Sequence, residues 1–317
     1  MHLVENMAYV GQKPWHGLGN KLDGQQPIEV WKRSAGMDWR IEESKVRFSA
    51  NGQERESLSA FPGNKVLYRS DTKAPLAVVS KRFQVVQPGE ILEFYRYLTR
   101  DSGFELETAG VLREGRKFWA LAKTGQSAVL KGRDRVNGYL LLATACDGTL
   151  ATTAQFTSVR VVCNNTLAVA VRDGETAIKV PHRSQFDPDL VKRQLGITVA
   201  AWGGFVERMK ALVDHPVDPD SVEGLLRRVL TYPVPNAAPA VNERAVAHVR
   251  ALFEGGGLGA LSASSRGTAW GLLNGITEYV DHHRRARSDD YRRDAAWFGE
   301  GARLKQRAWE EVLELVA

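Results

Sequence analysis

The stretch from Thr144 to Leu167, TACDGTLATTAQFTSVRVVCNNTL, gathers several chemically distinct side chains in one place: both cysteines of the chain, Cys146 and Cys163, one acid, Asp147, and one cation, Arg160. Its threonines, with Asn164 and Asn165, add hydroxyls and amides. Small polar groups beside one arginine suit contact with a sugar–phosphate chain better than bond breaking, because such groups hold phosphate oxygens without any nucleophile. Read as structure, the same residues are a central strand from Thr152 to Val162 that runs into a stop or helix-capping signal at Asn164–Thr166.

Other candidates for chemistry are sparse. Two cysteines without CxxC spacing argue against a disulfide framework and a structural zinc site, and they favour a reducing, cytoplasmic compartment. A metal-dependent nuclease would need acids or histidines converging on an ion. The candidates are Asp147, His182, Asp281, His282 and His283, and no two have a recognised ligand spacing. His16 lies in GQKPWHGLGNKL, which reads as a loop packed by Trp15, with no nucleophile or orienting acid upstream. EGGGLGALSASSRGT lacks the Gly-Lys-Ser/Thr of a phosphate loop and a preceding strand, so it reads as a flexible linker. No cofactor or metal is expected.

The charge points toward a polyanion. The chain carries 43 Lys/Arg against 37 Asp/Glu, a net +6, with a pI near 9.3. Between Gly110 and Arg135 there are seven cations, among them Arg133 and Arg135, against Glu114 and Asp134. Such a surplus is the footprint expected of phosphate binding, or else of a solvated hairpin tip. Lys81 and Arg82 directly precede Phe83, the pairing of charge and aromatic face that a single-strand binder uses. The other reading puts Phe83 in the core. Lys179 and Arg183 add cations further on, and Phe156 adds a second aromatic candidate. From Ser262 to Arg307, nine cations interleave with six acids, which a salt-bridged helix surface explains as well as a nucleic-acid contact does.

These side chains must be positioned by an ordinary globular chain: 317 residues, 43% hydrophobic, 25% charged. No apolar run is long enough to span a membrane, and no secretory signal follows Met1. Residues 1–26 read as irregular, then a short helix follows Pro27 with Ile28, Val30 and Trp31 as its apolar members. From Trp39 to Val86 the pattern is β. Pro88 opens a helix carrying Ile91, Leu92, Phe94, Tyr95 and Leu98. Strands follow at Phe104–Leu112, Lys117–Ala122 and Val136–Ala145, with Gly125–Arg135 as a loop. Asp187 caps a helix whose apolar members Val191, Leu195, Val199, Trp202, Val206, Met209 and Val213 recur every three or four residues. Helices continue to the end. The expected fold is α+β: an antiparallel sheet with packed helices over residues 1–186, and a mainly helical region over 187–317 for packing or oligomerisation.

Several motifs recur together, in order: PWHGLG, TAG at 108–110, YLLLATACDGT, TSVRVVCNNTL and TAWGLLNGITEYVDHHRR. They resemble the phage/plasmid-like protein family, a bacterial and bacteriophage group catalogued as a domain of unknown function, over nearly the whole chain. A more distant likeness is to the ring-forming single-strand annealing proteins. That likeness implies a sheet-and-helix core, a homo-oligomer and a basic groove for the DNA backbone. The function so implied is a non-enzymatic, single-stranded DNA-binding protein that anneals complementary strands. Lys81, Arg82, Arg133, Arg135, Arg160, Lys179 and Arg183 would hold phosphates, Phe83 or Phe156 would stack on bases, and Asn164 and Asn165 would bond the backbone. The alternatives are the nuclease and a structural or regulatory protein that binds its partner through the Val191–Val213 face.

Overall fold

The apolar, β-branched runs between Glu105 and Arg160 become the central strands of one sheet. The structure, a computed structural model, describes residues 4–11, 19–49, 58–101, 103–160, 166–168, 177–196 and 199–316. Its first strands are β1 (Val4–Val10), β2 (Asn20–Leu22), β3 (Ile41–Ser49), β4 (Leu58–Arg69) and β5 (Pro75–Ser80), with helices α1 (Ile28–Ser34) and α2 (Pro88–Asp101) among them. Then come β6 (Glu105–Leu112), β7 (Lys117–Leu130), β8 (Asp134–Ala145), β9 (Thr152–Arg160), β10 (Thr166–Ala168) and β11 (Ile178–Val180). The remainder is mostly helical: α3 (Pro188–Gly196), α4 (Val199–Asp214), α5 (Pro219–Val229), α6 (Glu243–Ala251), α7 (Ala269–Glu278), α8 (Asp289–Phe298) and α9 (Glu300–Leu313), with the hairpin β12 (Thr231–Val234) and β13 (Ala237–Val241) after α5.

The expected α+β class is what the structure has. The main sheet runs β10-β9-β8-β7-β6-β1-β2, and β11 also pairs with β9. It is mixed, because β1 and β2 run parallel (Ala8 opposite Asn20) while β1–β6 and β6–β7 are antiparallel. β3, β4 and β5 form a separate antiparallel sheet.

Three local expectations need correction. Val4–Val10 is a strand, because Met7, Ala8 and Tyr9 are buried where β1 pairs with β6, a partner a hundred residues away. Gly125–Leu130 continues β7, leaving only Lys131–Arg133 as the turn. Thr166 begins a strand rather than a helix: Thr166, Leu167 and Ala168 lie opposite Val159, Ser158 and Thr157. The stretch after Asp187 is helical over its described residues, as α3 and α4.

The chain divides into two compact units, each assembled from separated segments: Met1–Gly125, Leu140–Gln155 and Ala177–Leu195 in the first, and Gln126–Tyr139, Phe156–Thr176 and Gly196–Ala317 in the second. In the first, α2 lies against β-strand carbonyls. The fully buried Tyr95 hydroxyl sits 2.9 Å from the carbonyl oxygens of Ala120 and Leu140, and burial pushes its pKa well above the usual tyrosine value. Arg69, 6% exposed, lies over the Trp39 ring and makes two bonds to Asp71, which pull that carboxyl down to about 2.

The second unit packs α7, buried along its whole length, against its neighbours. Thr268 caps α7 by accepting from the Gly271 amide. The glycine- and serine-rich segment before it is not a linker, since Ser264 and Ser265 are buried. The Ser264 hydroxyl and the Trp270 indole N–H both donate to Asp134 Oδ2, at 2.6 and 3.1 Å. Of the apolar stripe, Val191 is buried in the first unit and Met209 and Val213 in the second, while Trp202 and Val206 are half-buried.

Candidate nucleic-acid interface

The turn after β5 is tight because its amides turn back on the strand. The Phe83 amide donates to Ser80 O, and the Lys81 amide donates to Gly63 O, each at 3.0 Å. A turn closed this way throws the Lys81 and Arg82 side chains into solvent, where both are exposed. Phe83 folds under them, half-buried, and stacks on the imidazole of His182 with centroids 4.2 Å apart and planes 17° from parallel.

His182 is held from several sides. Its ring Nδ1 lies 3.0 Å from Gln84 O and its Nε2 3.0 Å from Leu150 O, while its own carbonyl accepts from the Gln84 amide at 2.6 Å. The Thr144 hydroxyl stands 3.5 Å from the same Nε2 and 2.9 Å from the Thr152 hydroxyl. Just before it in sequence, β11 pairs antiparallel with β9, Lys179 opposite Thr153, and the Lys179 side chain is exposed. Arg183 follows and is exposed too. Two segments a hundred residues apart are thus clamped together in the first unit. Lys81, Arg82, Lys179 and Arg183 stand on them with no ion-pair partner among the described residues.

In the second unit, Arg133 and Arg135 are exposed on either side of Asp134, whose carboxylate is buried and bonded inward. The acid between them therefore does not screen them at the surface. The wider surplus from Gly110 to Arg135 does not form one patch. Lys117 is buried, Lys123 pairs with Glu107 at 2.6 Å, Lys131 with Asp214 at 2.6 Å, and Arg116 lies 3.7 Å from Glu114.

Much of the central polar stretch is turned inward. Thr144, Thr152, Thr153, Thr157 and Ser158 are all buried. Their hydroxyls serve the chain itself: Thr153 donates to Ala151 O, and Thr157 and Ser158 both reach Leu167 O. Phe156, 4% exposed, has its ring covered by the core and presents no face to a base. Arg160 ends β9, but its side chain is outside what the structure describes, as are Asn164 and Asn165 altogether. Cys163 and His16 also lie outside the described residues.

Cys146 is buried, and desolvation first, then the nearby Asp147 charge, pushes its thiol up to about 12, so it offers no thiolate for attack. Asp147 accepts from the amide and hydroxyl of Thr149. Asp281 is taken up by Lys305 and Thr166, and His283 Nε2 lies 3.7 Å from the buried Glu278. Among the described residues, no group of three His, Cys, Asp or Glu side chains is arranged to hold a metal ion. No described helix is long and apolar enough to cross a membrane.

The residue that sequence reasoning missed is His182, weighed there only as a metal ligand. Its neighbours carried the signal: Pro181-His182-Arg183 puts an aromatic ring beside a cation, as Arg82-Phe83 does. A family model described as a domain of unknown function (DUF932) matches residues 75–297. No curated protein and no solved structure matches the chain.

Proposed function

For a chain that belongs to the DUF932 family, whose description carries no activity, we propose a role as a single-stranded DNA-binding protein that promotes annealing of complementary strands. The observation that carries this reading is the junction of Lys81-Arg82-Phe83 with Lys179–Arg183 through the Phe83–His182 stack. Four cations without acidic partners among the described residues, on the two segments that the aromatic pair joins, suit a sugar–phosphate chain that passes over them. Arg133 and Arg135, and Arg160 by its place at the end of β9, are further phosphate contacts in the same reading.

Annealing by this route needs no nucleophile. Cations that neutralise phosphates lower the repulsion between two strands, and bases left outward sample partners until they pair. The resemblance to the phage/plasmid-like family and to annealing proteins supports recombination in a bacterial cytoplasm as the setting, with the chain acting as a homo-oligomer.

A mixing assay tests it. Complementary oligonucleotides should anneal faster with the protein than in buffer, and electrophoretic mobility shifts with a single strand should weaken steeply as salt rises. Annealing no faster than in buffer, with no salt-sensitive binding, refutes the proposal.

A further inference from the structure

Three strands of the first unit carry apolar side chains on a face that nothing in the described chain covers. In the sheet β3-β4-β5, Val46 lies opposite Phe61, Phe48 opposite Ser59, and Val66 opposite both Ser44 and Val78. Residues directly opposite share a face, and so do residues two apart on one strand. Phe48, Phe61 and Val78 therefore stand on the same side, 46%, 50% and 60% exposed. On the other side Ile41, Leu67 and Val79 are buried at one end of the sheet, while Leu58, opposite Ser49 at the far end, is 55% exposed. A run of large apolar groups left in water marks a binding surface.

The charge around this face says what it takes. Of the cations on residues 44–49, 58–66 and 78–83, Lys45, Arg47 and Lys65 alternate onto the other side, whereas Lys81 and Arg82 lie in the turn that follows β5 and are both exposed. Lys65 is spent on an ion pair with Glu43 at 2.7 Å, whereas Lys81 and Arg82 have no ion-pair partner among the described residues. The Lys81 amide donates to Gly63 O, which joins the Lys81–Arg82 turn to β4 two residues beyond Phe61. Two exposed phenyl rings on a pleated surface, with Lys81 and Arg82 on the adjoining turn, suit the chemistry of a single nucleic-acid strand: flat apolar bases on one side, phosphates on the other.

We infer that Phe48 and Phe61 form a base-stacking platform for the single strand whose phosphates Lys81 and Arg82 hold. This rests on the nucleic-acid reading above and adds to it the part of the ligand that is not phosphate. The test compares a thymidine oligonucleotide with an abasic phosphodiester strand of equal length, by fluorescence anisotropy across a salt series. The wild-type chain should prefer the base-bearing strand by about 5- to 150-fold for each stacked base. F48A/F61A should bind both strands as weakly as the wild type binds the abasic one, with the salt slope unchanged. F48W/F61W, which restores flat rings at the same positions, should keep the preference.

The outcomes separate the two claims. If F48A/F61A retains the base preference, the platform is wrong while strand binding stands. If the wild type binds neither strand, the nucleic-acid reading itself falls and takes the platform with it. If F48A/F61A leaves strand binding untouched but lowers the light-scattering mass of a wild-type oligomer, the face belongs to a second copy of the chain and the platform is overturned.

Discussion

The Phe83 ring lies on the imidazole of His182 at 4.2 Å and 17°, although the two residues are a hundred positions apart. The contact ties the turn after β5 to the segment following β11, and the reciprocal bonds between Gln84 and His182 reinforce it. Aromatic pairs of this kind contribute about 0.5–1.5 kcal/mol beyond their burial. A double-mutant cycle with F83A and H182A, followed by urea unfolding, should give a coupling energy in that range. Strictly additive losses would show that the stack stabilises nothing.

If the four cations hold phosphates, their removal has a quantitative signature. Each phosphate no longer neutralised should flatten the dependence of log K on log salt by about 0.7 for a single strand. K81A/R82A/R183A should therefore lower the slope by about 2 and weaken binding of all sequences alike. A slope equal to that of the wild type would remove these residues from the interface.

How much of the fold and the site was legible in the residues depended on how local each signal was. Pro88 stands at the helix start it predicts, and Asp187 accepts from the amides of Asp189 and Leu190, as a cap should. Val4–Val10 gave no such sign, because what makes it a strand is β6, far along the chain. Thr157 and Ser158 looked like surface groups by composition, yet their hydroxyls are satisfied by Leu167 O, so burial costs them little. The Lys81–Arg82–Phe83 triplet was readable as cations beside a ring. Its convergence with Arg183 was not, since no residue spacing encodes a contact made through tertiary structure.

Thiol chemistry should follow burial. With Cys163 replaced by serine, only Cys146 remains to react. Its thiol, pushed up to about 12 and enclosed by the core, should resist an aromatic disulfide reagent at neutral pH until denaturant is added. Stoichiometric reaction in the folded state would mean that the core around Gly115 and Cys146 opens readily.

Acid should weaken the first unit in a defined window. Glu93 accepts from Arg96 at 2.6 Å and from Lys32 at 2.5 Å, and these bonds, that of Arg96 foremost, hold its carboxyl down to about 2 from a usual 4.5. A depressed carboxylate stabilises the fold above its unfolded pKa and loses that contribution as pH falls through the folded one. The loss should thus lie between about pH 4.5 and about pH 2. Because the Glu93 side chain is 39% exposed, solvent screening limits the effect to about 1 kcal/mol or less. E93Q should flatten the acid limb of a stability-versus-pH curve in that window only, and an unchanged limb would show that the pair contributes nothing.

The pair that should matter more is buried. Lys305 Nζ donates to Asp281 Oδ1 at 2.7 Å and to the Thr166 hydroxyl at 2.6 Å, and Asp281 Oδ2 accepts from the Thr166 amide at 2.7 Å. Both charged side chains are below a tenth exposed. Removing one partner leaves the other charge desolvated and uncompensated, a cost of about 3–5 kcal/mol, whereas replacing both with apolar groups is often close to neutral. K305M alone should lower the unfolding free energy by that amount in urea. D281L/K305M should recover part of it, but not all, because the Thr166 amide, still bonded to Asp281 in the single variant, loses its acceptor in the double one. Since Thr166 starts the short strand paired with Thr157–Val159, the single variant should also raise hydrogen exchange at Thr166–Ala168 more than along α5. Equal exchange in both places would mean that the ion pair stabilises the second unit as a whole and does not specifically hold β10.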